Sequence, residues 1–290
     1  PAAAPAPAGE ISEALLSLIE SGEDEPAGPH HWSGLLCPLE KPREVILATT
    51  TSVQDTGLLG ELLPAFQAKT GIAVKPVAVG SGEAIAMARR GEADVVLAHS
   101  PKDEEALLAE GFAVERRILM RNFFRVIGPA DDPAGIAKAP SAVDAFRAIA
   151  TRGAAFVTRG DQSGTHKKEL ALWAKAGGVP SAEWYIRGGA GMGEILRIAD
   201  EKRAYTLCDE STYEAQKSKL SLVVLFAAEE TDLQNTYSVL VLNAAKLPKI
   251  NAAGGRAFAD FVAGPEGRKI LGEFGKAKFG RPLFTLEPAQ

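Results

Sequence analysis

From residue 44 onward the chain alternates short apolar runs with stretches in which apolar positions recur every three or four residues. Val45-Ile-Leu-Ala48 is apolar throughout, as a strand covered on both faces is. Leu59, Leu62, Leu63 and Phe66 then share one helical face, with Pro64 placed to bend it and Gly71 to stop it. Residues 72–79 read as a second strand, 84–90 as a helix, 93–98 as a third strand and 104–110 as a helix. This β-α-β-α-β order predicts a parallel sheet with helices on both faces. Ligands of such sheets sit outside the carboxyl ends of the strands. Residues 49–52 and 81–82, each following a strand, therefore open on one edge.

The rhythm continues. Residues 122–129 form an apolar strand that runs into Gly-Pro. Helices are expected near 141–151, 165–176 and 194–202, with strands at 155–158, 204–207 and 222–226. A strand at 237–242 and helices at 255–262 and 265–274 follow, and 275–290 reads as irregular. Ahead of all this, residues 1–9 are Pro/Ala-rich and read as disordered. Ile11, Leu15, Leu16 and Ile19 have helical spacing, and 20–43 read as a Gly/Pro-rich arm.

A chain of 290 residues with 46% hydrophobic and 24% charged residues is long enough for two ordinary domains. No apolar run approaches the roughly 20 residues of a membrane helix. The net charge of −5 argues against a nucleic-acid surface, which needs clustered Lys and Arg. It does not disfavour a small anion site, which local donors create. Two cysteines, Cys37 and Cys208, exclude a disulfide scaffold and a zinc framework; whether they pair stays open. The chain opens on Pro1, which fits an exported protein after cleavage and a cloned fragment equally.

The chemistry concentrates at helix mouths. Arg159-Gly-Asp-Gln-Ser-Gly-Thr165 puts a guanidinium, two hydroxyls and a glycine at the start of a helix. The first turn of a helix has unpaired N–H groups and partial positive charge, so it holds oxyanions. Four hydroxyl residues, Thr49, Thr50, Thr51 and Ser52, and the Gly80-Ser-Gly82 turn make two further mouths. Arg159 suits a two-pronged grip on an anion, against the plainer reading of a surface ion pair. Ser163 and Thr165 are equally good helix caps, and capping does not compete with anion binding. Asp161 orients Arg159, caps a turn or accepts a proton from a protonated anion; the structural roles are preferred. The glycines of residues 187–194 lack the strand and lysine context of a nucleotide loop. His30, His31, His99 and His166 have no metal spacing, and no nucleophile elbow is visible.

These segments, with His99-Ser-Pro-Lys-Asp-Glu104, Gly191-Met-Gly193 and Asp209 through Tyr213, resemble the tungstate-binding periplasmic proteins of ABC importers. The resemblance covers roughly residues 44–285. It implies an α/β, two-lobed type II periplasmic-binding-protein fold, each lobe a mostly parallel sheet flanked by helices. Lobe one would be 44–125 plus 239–285 and lobe two 126–238, after an arm at 1–43 and before a tail at 286–290. Crossings are expected near 124–128 and 235–241. Carried over by motif, the oxyanion donors are Thr50, Thr51, Ser52, Ser81, Gly82, Arg159, Ser163, Gly164, Thr165 and, through its backbone, Met192. The resemblance further implies tungstate or molybdate as ligand, no cofactor, a permease partner, no catalysis, a monomer and a periplasmic or extracytoplasmic location.

Three departures stand out. Asp209-Glu-Ser-Thr-Tyr213 replaces the family's usual Asp-Arg-Gly-Thr-Tyr, Arg121 and Arg125 flank the first crossing, and the arm has no familiar counterpart. Other readings are a phosphate receptor, with Asp161 as acceptor, and an oxyanion-sensing domain that uses the arm. An enzyme would need a general base in the cleft, for which no candidate appears.

Overall fold

The computed structural model describes residues 44–288. The expected arm, its short helix, Cys37 and the first two histidines lie outside them. The first part of the described chain runs β1 (Val45–Thr50), α1 (Thr51–Thr56), α2 (Leu59–Thr70), β2 (Val74–Val79), α3 (Ser81–Arg90), β3 (Val95–Ala98), α4 (Pro101–Ala109) and β4 (Ala113–Gly128). Next come α5 (Ala142–Arg152), β5 (Phe156–Thr158), α6 (Gly164–Ala176), β6 (Tyr185–Arg187), α7 (Met192–Glu201), β7 (Thr206–Asp209), α8 (Glu210–Gln216) and β8 (Val223–Phe226). The last part holds β9 (Gln234–Leu242), α9 (Ala252–Ala263), α10 (Pro265–Glu273), α11 (Lys276–Phe279) and β10 (Thr285–Leu286). No described helix is long and apolar enough to cross a membrane.

The main sheet runs β10-β4-β9-β3-β1-β2. It is mixed rather than mostly parallel. β2, β1 and β3 are parallel as expected, but β9 returns antiparallel to β3, and β4 pairs antiparallel with β9. Both antiparallel strands are long connections between the two halves. The apolar strands serve two cores by simple alternation. Val45, Leu47, Val95 and Leu97 face a cluster built on Phe66 and Phe258, while Ala48, Val96 and Ala98 face one built on Ile85 and Leu107. Pro76 is tolerated because β2 is the edge strand.

β4 carries the change of sheet. Residues through Phe123 pair with β9, and from Phe124 the strand pairs with β7 and β8 instead. Phe124 and Val126 enter a core with Phe146, Phe156 and Trp173, while Ile127 enters one with Ile195 and Leu196. β4 begins at Ala113, well before the expected strand. Its first half is charged, and those charges are paired: Arg116 with Glu104, Arg117 with Glu115 and Asp260. Residues 275–288, the described part of the last expected segment, are not irregular either. They form α11 and β10, which pairs with β4, and Glu287 takes Arg121 as ion partner.

Candidate functional site

β1 delivers Thr49 and Thr50 to the edge of the sheet, and the chain turns at once into α1. No loop intervenes. Thr49 Oγ1 donates to the Leu97 carbonyl at 2.9 Å, so its hydrogen is committed. Thr50 caps α1 by accepting the Val53 N–H at 3.3 Å. An accepting hydroxyl still has its own hydrogen to donate. The same holds for Ser163, which caps α6 by accepting the His166 N–H at 3.2 Å. Ser81 and Gly82 lie within the first turn of α3, three residues before its expected start. Gly80 and Gly191, the caps of α3 and α7, provide no side-chain acceptor, so first-turn N–H groups there stay unclaimed by a cap. Met192 is buried in a hydrophobic cluster, which leaves only its backbone to the site.

Arg159 is 2% exposed. Its Nε and Nη2 donate to Asp161 Oδ2 at 3.1 and 2.5 Å, and its Nη2 reaches Thr51 Oγ1 at 3.4 Å. Asp161 Oδ1 accepts the Ser163 N–H at 3.1 Å. Burial alone would raise the Asp161 carboxyl; Arg159 and the Ser163 donors outweigh it and hold it below the usual carboxylate range. The loop is clamped from behind: Arg187 donates twice to the Gly160 carbonyl, and the Gly189 N–H donates to that of Arg159.

These segments, distant in sequence, meet. A Cβ placed on Gly164 would lie 2.9 Å from the His99 carbonyl and 3.1 Å from Ser81 Oγ. One on Gly82 would lie 3.3 Å from the Gln162 carbonyl, and one on Gly191 3.5 Å from Thr51. Asp55 Oδ2 accepts the Gly193 N–H at 3.2 Å. Burial, chiefly, keeps the Asp55 carboxyl above its ordinary range. At this junction the hydroxyls of Ser52, Ser81 and Thr165 are buried and have no hydrogen-bond partner among the described residues. Each such group costs about 1–3 kcal/mol if left unmet. Three of them beside one buried guanidinium make a cradle of donors suited to a small anion.

Beneath the cradle lies a polar network that no local sequence signal marks. His99 Nδ1 is 2.8 Å from Asn235 Oδ1. Asn235 Nδ2 donates to Asn122 Oδ1 and the Tyr237 hydroxyl, Asn122 Nδ2 donates to Ser211 Oγ, and that hydroxyl donates to Asp209 Oδ1. Burial pushes His99 below its ordinary range, so the ring is neutral, with the Nδ1 proton assigned by its acceptor. His99 also packs its ring against Tyr237, with centroids 4.9 Å apart, so it serves packing and hydrogen bonding together. Asp209 Oδ2 and Thr212 Oγ1 are also buried without hydrogen-bond partners among the described residues. Glu210 answers two departures at once: it binds Arg125 at 2.6 Å and Arg281 at 2.5 Å. The acid gained and the arginine near the crossing are partners. Cys208 is a buried free thiol.

Glu169 lies under the Arg159 loop, where its Oε1 accepts from Trp173 Nε1 at 3.1 Å and from the Tyr185 hydroxyl at 2.7 Å. Burial raises its carboxyl to about 7, against those hydrogen bonds. The folded state thus favours the protonated form. The stability this contributes is full below pH 4.5 and is lost as pH rises to about 7. Glu169→Gln keeps the acceptor and removes the titration. Urea melts at pH 4.5 and 8 should show wild type losing about 2–3 kcal/mol more than the variant. Equal losses would clear Glu169 of this role.

The chain matches the family described as "PBP superfamily domain" over residues 25–266, a span that begins within the expected arm. It is 44% identical over 248 residues to a tungstate-binding protein TupA of Peptoclostridium acidaminophilum, covering 85% of this chain and 86% of that one. It is 46% identical over 236 residues to a putative ABC transporter anion-binding protein of Haloferax volcanii, covering 80% and 69%. The solved structure of the tungstate ABC transporter from Geobacter sulfurreducens is 45% identical, covers 80% of this chain and 99% of its own, and superposes with a TM-score of 0.73.

Proposed function

The chain belongs to the PBP superfamily, alongside tungstate-binding proteins, and from that footing we propose that it captures tungstate, or molybdate, for ABC import. It is a solute-binding protein and not an enzyme. The observation that carries the reading is the trio of buried, unmet hydroxyls on Ser52, Ser81 and Thr165 beside Arg159. Tungstate and molybdate are fully deprotonated at neutral pH and need donors alone. Thr50, Thr51, Ser52, Ser81 and Gly82 would supply them from one lobe. Arg159, Ser163, Gly164, Thr165 and the Met192 backbone would supply them from the other. We take the lobes as 44–125 plus 239–285, and 126–238; the change of sheet at Phe124, close to the first of these boundaries, supports a bend there. A permease partner and an extracytoplasmic location follow from the same reading.

Phosphate keeps a proton near neutrality and needs an acceptor as well. Asp161 is poorly placed for that duty, since both its oxygens already accept from Arg159 and Ser163. Asp209 Oδ2, buried and unmet, is the feature that keeps a phosphate reading alive. Calorimetric titration with tungstate, molybdate, sulfate and phosphate separates the two. Tungstate should bind tightly and with little change between pH 6 and 8. Heat from phosphate alone would sink the tungstate reading.

A further inference from the structure

The cradle has a cavity on each flank, and their charges differ. One, of about 580 Å³, is lined by Thr51 and sets Asp55 and Glu194 against Arg197 and Lys219. The other, of about 450 Å³, is lined by His99, Gly164, Lys102, Lys167 and Lys168, with no carboxylate on its wall. Gly164 and His99, which meet at the cradle, are part of this second wall, so the cavity abuts the cradle directly. Lys167 is tied to Asp103 at 2.5 Å. Lys102 and Lys168 make no ion pair with any described residue. Lys168 is half-buried, and burial first, then Lys175 and Lys102, holds its ammonium below the usual lysine range, with Asp232 opposing. That aspartate is already engaged by Lys175 at 2.5 Å. A partly desolvated cation with no ion pair among the described residues is costly, which singles out Lys168, with the unpaired Lys102 near it. The whole chain, meanwhile, carries a net charge of −5, which opposes the approach of an anion.

Resting on the oxyanion reading above, we infer that this lysine-lined cavity is an electrostatic funnel for a doubly charged inorganic oxyanion, with Lys102 on one lobe and Lys168 on the other drawing the anion toward the cradle as the cleft closes. Exposed charges act on the approach of a ligand more than on its final grip. A local positive field raises the association rate and is screened by salt, with a Debye length of about 10 Å at 0.1 M. The cradle then takes over the anion with its hydroxyls and Arg159. Lys167, neutralised by Asp103, contributes less.

Stopped-flow mixing with tungstate, read by intrinsic fluorescence, tests this. The Lys102→Ala/Lys168→Ala double variant should associate about tenfold more slowly at low salt. The difference should vanish near 1 M salt, with the dissociation rate unchanged. Lys102→Arg/Lys168→Arg should behave as wild type. A control that removes two exposed lysines elsewhere, Lys75→Ala/Lys249→Ala, should leave the rate near wild type. An unchanged rate, an equal fall in the control, or a fall that persists at high salt would overturn the inference. Wild type that binds no tungstate would overturn the functional reading itself. Wild type that binds, with variants associating equally fast, would remove the funnel alone.

Discussion

Arg159→Ala is expected to weaken tungstate binding by about three orders of magnitude, roughly 4 kcal/mol, while the protein stays folded. Two effects add. The variant loses the only guanidinium among the proposed donors, a planar fork that matches two oxyanion oxygens at once. It also strips Asp161 of its ion partner, leaving a carboxylate near the anion with only the Ser163 donors to offset its charge. The second effect makes the prediction specific. Arg159→Ala/Asp161→Ala should bind better than Arg159→Ala alone, because the repelling charge is gone. Arg159→Lys should fall between, since an ammonium supplies charge without the fork. Titration calorimetry on the four proteins, with melting curves as a folding check, reads all of this. A Kd for Arg159→Ala within threefold of wild type would remove the residue from the site.

What the sequence made legible was local. Thr50 and Ser163 announce helix mouths because capping uses a hydroxyl within three residues of the N–H it meets. The apolar runs at β1 and β3 announce buried strands for the same reason, as their pattern lies in adjacent residues. What stayed hidden was non-local. The first half of β4 reads as polar until its partners, Glu104 and Asp260, are found on other elements. Nothing near Asn122 or Asn235 marks them, yet they join His99 to Ser211 through partners 89 to 136 positions apart. Glu169 looks like an ordinary helical glutamate, and only burial against Trp173 and Tyr185 changes its chemistry. Asp161 is the intermediate case. The sequence posed its ambiguity, and geometry spends both of its oxygens.

Gly164→Ala should separate folding from closure. The glycine opens α6 with ordinary helical geometry, so within its own half an alanine is tolerated or mildly favoured, by about 0.5–1 kcal/mol. Across the cleft the same methyl meets the His99 carbonyl at 2.9 Å and Ser81 Oγ at 3.1 Å. The first of these is backbone and has little room to yield. Overpacking of this kind costs about 1–3 kcal/mol, and here the cost falls only on the state in which the two halves touch. The expected result is an unchanged or slightly raised melting temperature together with binding weakened by up to about a hundredfold. The ligand-driven compaction that small-angle scattering should detect in wild type would be reduced in parallel. An alanine variant that melts early would mean the glycine serves the fold. One that binds as wild type does would mean that the anion is held without Gly164, Ser81 and His99 being drawn together.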